Sequence, residues 1–567
     1  MASELDRQLK SIMDRLTAPR SLFERDTVQQ DGVALPVFAN APASIPALFD
    51  HACLEHHDAE FLVDGDLRLT YGEVHALARR AAVGLVRGYG VKPGDRIGIA
   101  ARNSANWIIA YMAVLMAGGC ATLLNAWCKG RELKDAVELA QCTIVLTDPE
   151  RASRLEGQAL SARIIVFRHG KPEHGLSPIL ACNGACDVLP QLDGDDLATI
   201  LFTSGSTGRS KAAHSNHRSV VQAATSFAVQ SLGFSTQLQE AGKSATGDRA
   251  ILLCVPLFHV TGEIAVLLQS FLVPRRLVIM SKWDAVHAMR LIEHERITFF
   301  IGVPLMSHQI ATHPDRARFD LSSCEAFAVG GAPQPAGHVG QIVRSMPHSV
   351  PLIGYGLTET NSVGCTNVHA NYVAKPESTG PATPPLVELA IIGADGARLP
   401  TGETGEVAIR SVCNFQGYWN DADATAAAIR PDGFFMTGDL GYLDADGYLF
   451  IVDRIKEIII RGGENLSCAE VEQAIYDHEG IAEACVFGVP DEVFGELPVA
   501  VYRSKPGCEA SPEALHTFVS RRLATFKIPV RFWQESEALP LLGSHKIDRV
   551  KLKARYSQLW ETARSAA

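Results

Sequence analysis

"DLATILFTSGSTGRSKAAHSNHRSV", residues 196–220, is the stretch on which the reading of the whole chain turns. Leu197 to Phe202 is a short apolar run of strand character, and it empties into Thr203-Ser204-Gly205-Ser206-Thr207-Gly208-Arg209-Ser210-Lys211. Small residues of this kind describe a flexible linker, because Gly and Ser leave the backbone loose. A strand that ends in a Gly/Ser/Thr turn carrying a lysine is also how backbone N–H groups and hydroxyls are aimed at phosphate oxygens. Gly205 and Gly208 put no Cβ between the backbone and an approaching anion. Lys211 follows Gly208 by three positions, whereas the Walker pattern sets Gly directly before Lys, which disfavours a common ATPase or GTPase. On these residues alone, a phosphate cradle and a surface loop both stand.

At 567 residues the chain is long enough for about three or four domain-sized units, each with its own core. A composition of 47% hydrophobic and 20% charged residues is that of an ordinary globular protein. Asp and Glu number 63 against 52 Lys and Arg, and the net charge of -11 argues against an extended nucleic-acid surface. The basic residues Arg549, Lys551, Lys553 and Arg555 read as a solvated helix face. Thirteen cysteines without a C-x-x-C, in a chain with no secretion signal, read as reduced cytosolic thiols, most of them core filler. The expected location is therefore cytoplasmic.

Leu5, Leu9, Ile12, Met13 and Leu16 fall at helical spacing, so the N-terminus is expected to be an amphipathic helix lying on the body. Trp107 to Trp127 carries no charge over 21 residues and is long enough to span a bilayer. Gly118-Gly119 and Asn125 interrupt it, so the expectation is a buried helix, a Gly-rich turn and a short buried strand, with no transmembrane segment. Through residues 60 to 350, apolar runs such as "RIGIA", "CTIVLT" and "ITFFIG" alternate with helical patterns, which favours α/β layers. From Leu386 to Ile409 two strands joined by Gly- and Pro-rich turns suggest a small antiparallel unit, and Asp446-Gly447 marks a hairpin.

Five further islands follow the Gly/Ser loop in order: "VPLFHVTG" at 255, "GGAPQP" at 330, "GYGLTET" at 354, "FFMTGDLGYLDADGYLFIVDRIKEIIIRGGENLSCAEVE" at 434, and "KIPVRFWQESEALPLLGSHKIDR" at 527. Each alone is weak. Together they resemble the adenylate-forming (AMP-binding) superfamily in its acyl-CoA synthetase branch, over nearly the whole chain from Leu69-Thr70-Tyr71 to the last helix. The resemblance implies a large N-terminal domain of layered α/β subdomains plus a small β-barrel, residues 1–453. A small mobile α+β C-terminal domain, 454–567, would follow, with a hinge near 454–456. It implies an ATP-dependent carboxylate–CoA ligase using Mg²⁺ and coenzyme A on a small-molecule carboxylic acid, fatty or otherwise hydrophobic, with a possible homodimer. The nearer alternatives are delivery of the acyl-adenylate to a carrier protein, and an aryl- or steroid-acid CoA ligase. Only Ala567 and the short segment before it follow Lys546, so no fused carrier domain is expected.

Residue by residue, the resemblance assigns Thr203, Ser204, Gly205, Ser206, Thr207, Gly208 and Lys211 to the loop that holds the β- and γ-phosphates. Glu359 matches the magnesium-coordinating carboxylate and Thr358 the hydroxyl that meets the AMP phosphate. Tyr355 is expected to stack on adenine, beside Gly356 and in a pocket walled by Gly331, Ala332 and Pro333. Asp439 is expected to accept the ribose hydroxyls, with Ile451 and Arg454 nearby. Lys546 matches the catalytic cation, although Leu541 stands where the family has a basic residue and His545 where it has a turn glycine. Lys456 occupies the pivot, and Gly462 and Gly463 the strand beside the pantetheine tunnel. His259 matches a gate at the acyl entrance, and Gly330, Leu357 and Val363 line an acyl pocket without evident charge. A nucleotide- or CoA-sensing module with a degenerate site would lack Glu359, Asp439 or Lys546; all three are present.

Overall fold

The computed structural model describes residues 3–180, 189–203, 210–242, 249–331, 336–461, 464–508, 510–542 and 546–565. Two mostly parallel sheets form its bulk. One runs Gly417–Tyr418, Lys211–Asn216, Leu197–Thr203, Cys120–Leu123, Arg96–Ala100, Ile144–Thr147 and Arg163–Val166 in spatial order. The other runs Cys365–Val368, Val350–Tyr355, Ala326–Gly330, Phe299–Gly302, Ala250–Leu253, Arg276–Ile279, Glu60–Asp64 and Leu67–Thr70. Their inner strands are short apolar runs buried on both faces, as parallel strands covered by helices must be.

The uncharged stretch at 107–127 resolves as expected. Helix Ala105–Met116 is buried along its whole length, Gly118 takes a φ of +80°, and Cys120–Leu123 enters the sheet as a central strand. A helix apolar all round belongs inside a layered protein or a membrane. Here Ser104 caps its start and it packs on helix Tyr71–Tyr89 and against strands of both sheets. No described helix is long and apolar enough to cross a membrane. The N-terminal helix, Glu4–Leu16, closes on itself with a Ser3/Asp6 capping box and buries Ile12 and Met13. Asp6 also accepts from Asn371 and from the Tyr448 hydroxyl, each at 2.8 Å, which pins the helix to the body.

The small β unit is a five-stranded antiparallel sheet, Ser378–Pro381, Tyr448–Arg454, Phe435–Leu443, Gly405–Arg410 and Glu388–Ile392, with the expected hairpin through Asp446-Gly447. Beyond it, Ile481–Asp491 and Gly495–Ser504 form a long antiparallel pair joined by Ile459–Arg461, Glu464–Leu466 and the parallel strand Arg531–Glu535. This last sheet has a core of its own, built on Val471, Ile475, Val486, Tyr502 and Leu515. Nine of the eleven described cysteines are buried and none is in a disulfide, in keeping with a role as core filler. Of the basic residues read as a solvated face, Lys551, Lys553 and Arg555 are exposed as expected, and only Arg549 departs. Arg549, at the start of helix Arg549–Ser565, turns inward to Glu472 at 2.9 Å and Glu457 at 3.2 Å and donates to the Val486 carbonyl. Glu457 and Glu472, distant from it along the chain and so invisible to a local charge count, draw it in.

Candidate active site

A single cleft of about 2530 Å³ gathers the described candidates. Thr203, Lys211, His259, Gly330, Gly331, Tyr355, Gly356, Leu357, Thr358, Glu359, Val363, Asp439, Ile451, Arg454, Lys456 and Lys546 all line it. They come from both large sheets, the small β unit and the C-terminal segment, so the ordered islands of the sequence converge in space. Ser204, Gly205, Ser206, Thr207, Gly208, Ala332, Pro333, Gly462 and Gly463 lie outside the described residues.

Glu359 is placed by a tight turn at the end of strand Val350–Tyr355. Thr360 Oγ1 accepts from the Leu357 N–H at 3.0 Å, and Asn361 and Ser362 follow with φ of 48° and 68°, a left-handed pair that costs non-glycine residues energy. Asn361 repays this by donating to the Cys413 carbonyl at 2.8 Å and to Ser215 Oγ at 3.1 Å, tying the turn to two neighbouring elements. The turn folds back so closely that a Cβ at Gly356 would stand 2.3 Å from the Ser362 carbonyl oxygen, so position 356 admits only glycine. The result is a carboxylate 8% exposed, facing the cleft. Glu359 Oε1 accepts from the Tyr418 hydroxyl at 2.8 Å, and the residue's own backbone N–H also bonds to the carboxylate. Burial pushes its carboxyl up, against the pull of the Tyr418 hydrogen bond.

Lys211 stands beside this group. Its Nζ lies 4.3 Å from the centre of the Tyr418 ring, within cation–π range, so Tyr418 orients both the acid and the base. Sequence reading missed Tyr418, which sits in "QGYWN" outside every recognised island; its signal is structural, the two-residue strand Gly417–Tyr418 adding to the edge of the sheet next to Lys211–Asn216.

Asp439 lies across the cleft on strand Phe435–Leu443 and is 3% exposed. Thr437 Oγ1 accepts from its N–H at 3.1 Å and donates to Val407 O at 2.7 Å, while Gly438 supplies the positive φ that turns the carboxylate inward. Its register partner on the next strand is Arg454, whose Nε sits 2.8 Å from Oδ1. The Tyr355 hydroxyl donates to Oδ2 at 2.6 Å. Asp439 therefore has one acceptor side on a cation and the other on a phenol, and burial pushes its carboxyl up while Arg454 opposes this. The ring of Tyr355 thereby forms one wall of the cleft beside Asp439.

Lys546 reaches the same region from the hairpin in which Leu542 N–H bonds to Lys546 O at 2.7 Å and Leu541 bridges Ile547. Burial brings its ammonium down to about 8; Arg454 adds to that, and Asp439 and Glu457 oppose it. Leu541 is exposed at the cleft rim, and His545 lies outside the described residues. At the boundary of the last two sheets, Asp453 Oδ2 accepts from Ala469 N–H at 3.1 Å and meets Ser467 Oγ at 2.9 Å. Ser467 also caps helix Cys468–Tyr476, its side chain accepting from the Glu470 N–H.

A buried carboxylate beside a lysine, a second one bridged to arginine and tyrosine, and a lysine brought in from the C-terminal segment define a site for activating an acid on a nucleotide. The comparisons agree. Residues 49–419 match the family model of the AMP-binding enzyme, and residues 470–546 that of the AMP-binding enzyme C-terminal domain. The chain belongs to the AMP-binding enzyme family. It is 32% identical over 531 residues to the Mycobacterium tuberculosis protein named 3-[(3aS,4S,7aS)-7a-methyl-1,5-dioxo-octahydro-1H-inden-4-yl]propanoyl:CoA ligase, covering 90% of this chain and 98% of that one. It is 31% identical to feruloyl-CoA synthase of Amycolatopsis sp., over 87% of this chain and 95% of the relative. Among solved structures, ATP-bound MatB from Rhodopseudomonas palustris superposes with a TM-score of 0.79 at 27% identity, over 91% of this chain and 100% of the other.

Proposed function

We propose that this AMP-forming acid–thiol ligase couples a hydrophobic carboxylic acid to coenzyme A in two steps within the one cleft. In the first, an oxygen of the substrate carboxylate attacks the α-phosphorus of ATP in line, the bond to the β-phosphate oxygen breaks, and pyrophosphate leaves with that electron pair. In the second, the CoA sulfur attacks the acyl carbonyl of the mixed anhydride, its proton is released, and AMP departs. A carboxylate at neutral pH is a poor electrophile, and the first step gives it a leaving group.

The residues divide the work by charge. Two anions must meet in the first step, so cations at both ends of the transferring phosphoryl group lower the barrier. Lys211 and the loop from Thr203 take the outgoing phosphates, and Lys546 takes the developing charge at the α-phosphate and the incoming carboxylate. Thr358 meets the AMP phosphate. Asp439 exchanges the Tyr355 hydroxyl for ribose hydroxyls, which frees the Tyr355 ring to lie on adenine, with Arg454 and Ile451 beside the sugar. Glu359 offers a buried hard carboxylate facing the cleft, with Thr358 also lining it, which suits Mg²⁺ held through a single carboxylate plus substrate phosphates. When bound, that ion offsets phosphate charge. Gly330, Leu357, Val363 and His259 border the acyl side.

We place the hinge at 454–456, with residues 1–453 and 454–567 as the two domains; Lys456 is the pivot, and rotation about it exchanges Lys546 for Gly463 at the site. The observation that carries the reading is the convergence of Glu359, Asp439 and Lys546 on one cleft. Acid-dependent release of pyrophosphate and AMP tests it; ADP and inorganic phosphate as products would refute it. Relatives named for a dioxo-indenyl propanoate and for ferulate support acids with a bulky apolar body.

A further inference from the structure

The acyl side of the cleft ends on charged groups. Along one face of the larger sheet, Phe299 and Ile301, Ala326 and Ala328, and Val350 and Leu352 alternate toward the cleft. Four residues of strand separate Ala326 from Gly330 at the nucleotide end, which makes this apolar shaft ~13 Å deep at ~3.3 Å per residue. Opposite it runs helix His217–Glu240, presenting Phe227, Phe234 and Leu238, with Gln230, Ser231 and Ser235 between them. At the foot, where the strands begin, the lining changes to Arg249, Gln269, Arg275, Thr298 and Glu325.

Arg275 is the unusual member. It is only 7% exposed and lines the cleft, with its guanidinium carbon 6.0 Å from the centre of the Phe299 ring. Its Nε donates to Ser270 Oγ at 2.8 Å, and Nη2 reaches Ala265 O, Val266 O and Gln269 Oε1 at 3.2, 3.1 and 2.9 Å. These bonds tie the turn Leu268–Phe271 and account for two nitrogens. Nη1 donates to no described residue, and no described carboxylate pairs with the group; Arg249, of like sign, disfavours its charge further. Burial without a counter-ion is costly, and it pulls this guanidinium down to about 10. Glu325 answers Arg249 instead, and Arg249 also reaches Ser235 Oγ at 3.5 Å. A purely apolar acid would leave Nη1 dry and unpaired.

We propose that Arg275 Nη1 binds an acceptor oxygen at the end of the acid remote from its reacting carboxyl, so that the preferred substrates are apolar acids carrying a distal keto or carboxylate oxygen. This rests on the CoA-ligase reading above. A site built to hydrogen-bond a substrate oxygen discriminates strongly against the analogue lacking it, because the buried donor is then left unpaired.

The test compares three matched series of graded length by pyrophosphate release: plain alkanoic acids, acids with a keto group next to the far end, and α,ω-dicarboxylic acids. At the length that reaches the floor, the oxygenated acids should exceed the plain acid in kcat/KM by about ten- to a hundredfold. A lead for the keto acids assigns a neutral acceptor, and a lead for the dicarboxylic acids an anionic one. Arg275→Met should bring the oxygenated-to-plain ratio near one; a purely structural arginine would lower both series in parallel and leave the ratio unchanged. Equal kcat/KM for plain and oxygenated acids at every length in the wild type would overturn the inference with no variant needed. No pyrophosphate from any acid would strike the ligase reading instead.

Discussion

The ammonium of Lys546 lies near Asp439, Glu457 and Arg454, and burial brings it down to about 8 in the free enzyme. The pH dependence of kcat/KM reports ionisations of free enzyme, so acid adenylation measured this way should follow that group. A depressed lysine is charged below its pKa and loses its charge as pH rises through it. About half the enzyme is then competent near pH 8 and about one-tenth a unit higher, giving roughly a tenfold fall per unit on the alkaline side. Lys546→Arg keeps its charge to above about pH 12. Its planar fork fits a point-charge site poorly, so activity at neutral pH should drop, yet the alkaline limb should vanish up to about pH 10. The assay is initial-rate pyrophosphate release at subsaturating acid across the pH range. An unchanged alkaline limb in Lys546→Arg, or a wild-type break near the ordinary lysine value, would refute the assignment.

Three other perturbations follow from the geometry. Tyr418→Phe removes the donor to buried Glu359, a hydrogen bond to a charged group of about 1.5–3 kcal/mol, so kcat/KM should fall about ten- to a hundredfold. That bond also holds the Glu359 carboxyl down, so the acid limb of adenylation should move to higher pH; a limb that stays put contradicts the contact. Gly84→Ala sets a Cβ 1.7 Å from the Ile179 carbonyl oxygen and should cost about 1–3 kcal/mol or more by overpacking, seen as a lower melting temperature. An unchanged melting temperature would mean that this helix contact yields freely. Gly463→Leu should abolish acyl-CoA formation while keeping acid-dependent ATP–pyrophosphate exchange within a few-fold of wild type. Loss of exchange as well would make Gly463 structural.

The fold was legible where local pattern and burial agree. Ala105–Met116, the glycine turn and Cys120–Leu123 could be read because Gly118-Gly119 punctuates an apolar run too short on each side to span a bilayer. The pair Glu388–Ile392 and Gly405–Arg410 and the Asp446-Gly447 hairpin followed from alternation and turn chemistry. Site residues within ordered islands, such as Glu359 and Asp439, were found by their neighbours in sequence. Tyr418 and Arg275 were not, because what marks them is long-range: an edge strand that carries a phenol to a carboxylate 59 positions away, and a buried guanidinium with no counter-charge among the described residues. Arg549 was misjudged for the same reason, since Glu457 and Glu472 meet it only in the folded chain.

The central claim is that one cleft performs adenylation with Lys546 and thioester formation without it, and the two half-reactions of Lys546→Ala test it most directly. Acyl-AMP synthesis from acid, ATP and Mg²⁺ should fall by several orders of magnitude, while conversion of supplied acyl-AMP and CoA to acyl-CoA stays near the wild-type rate. An equal loss in both half-reactions would contradict the account.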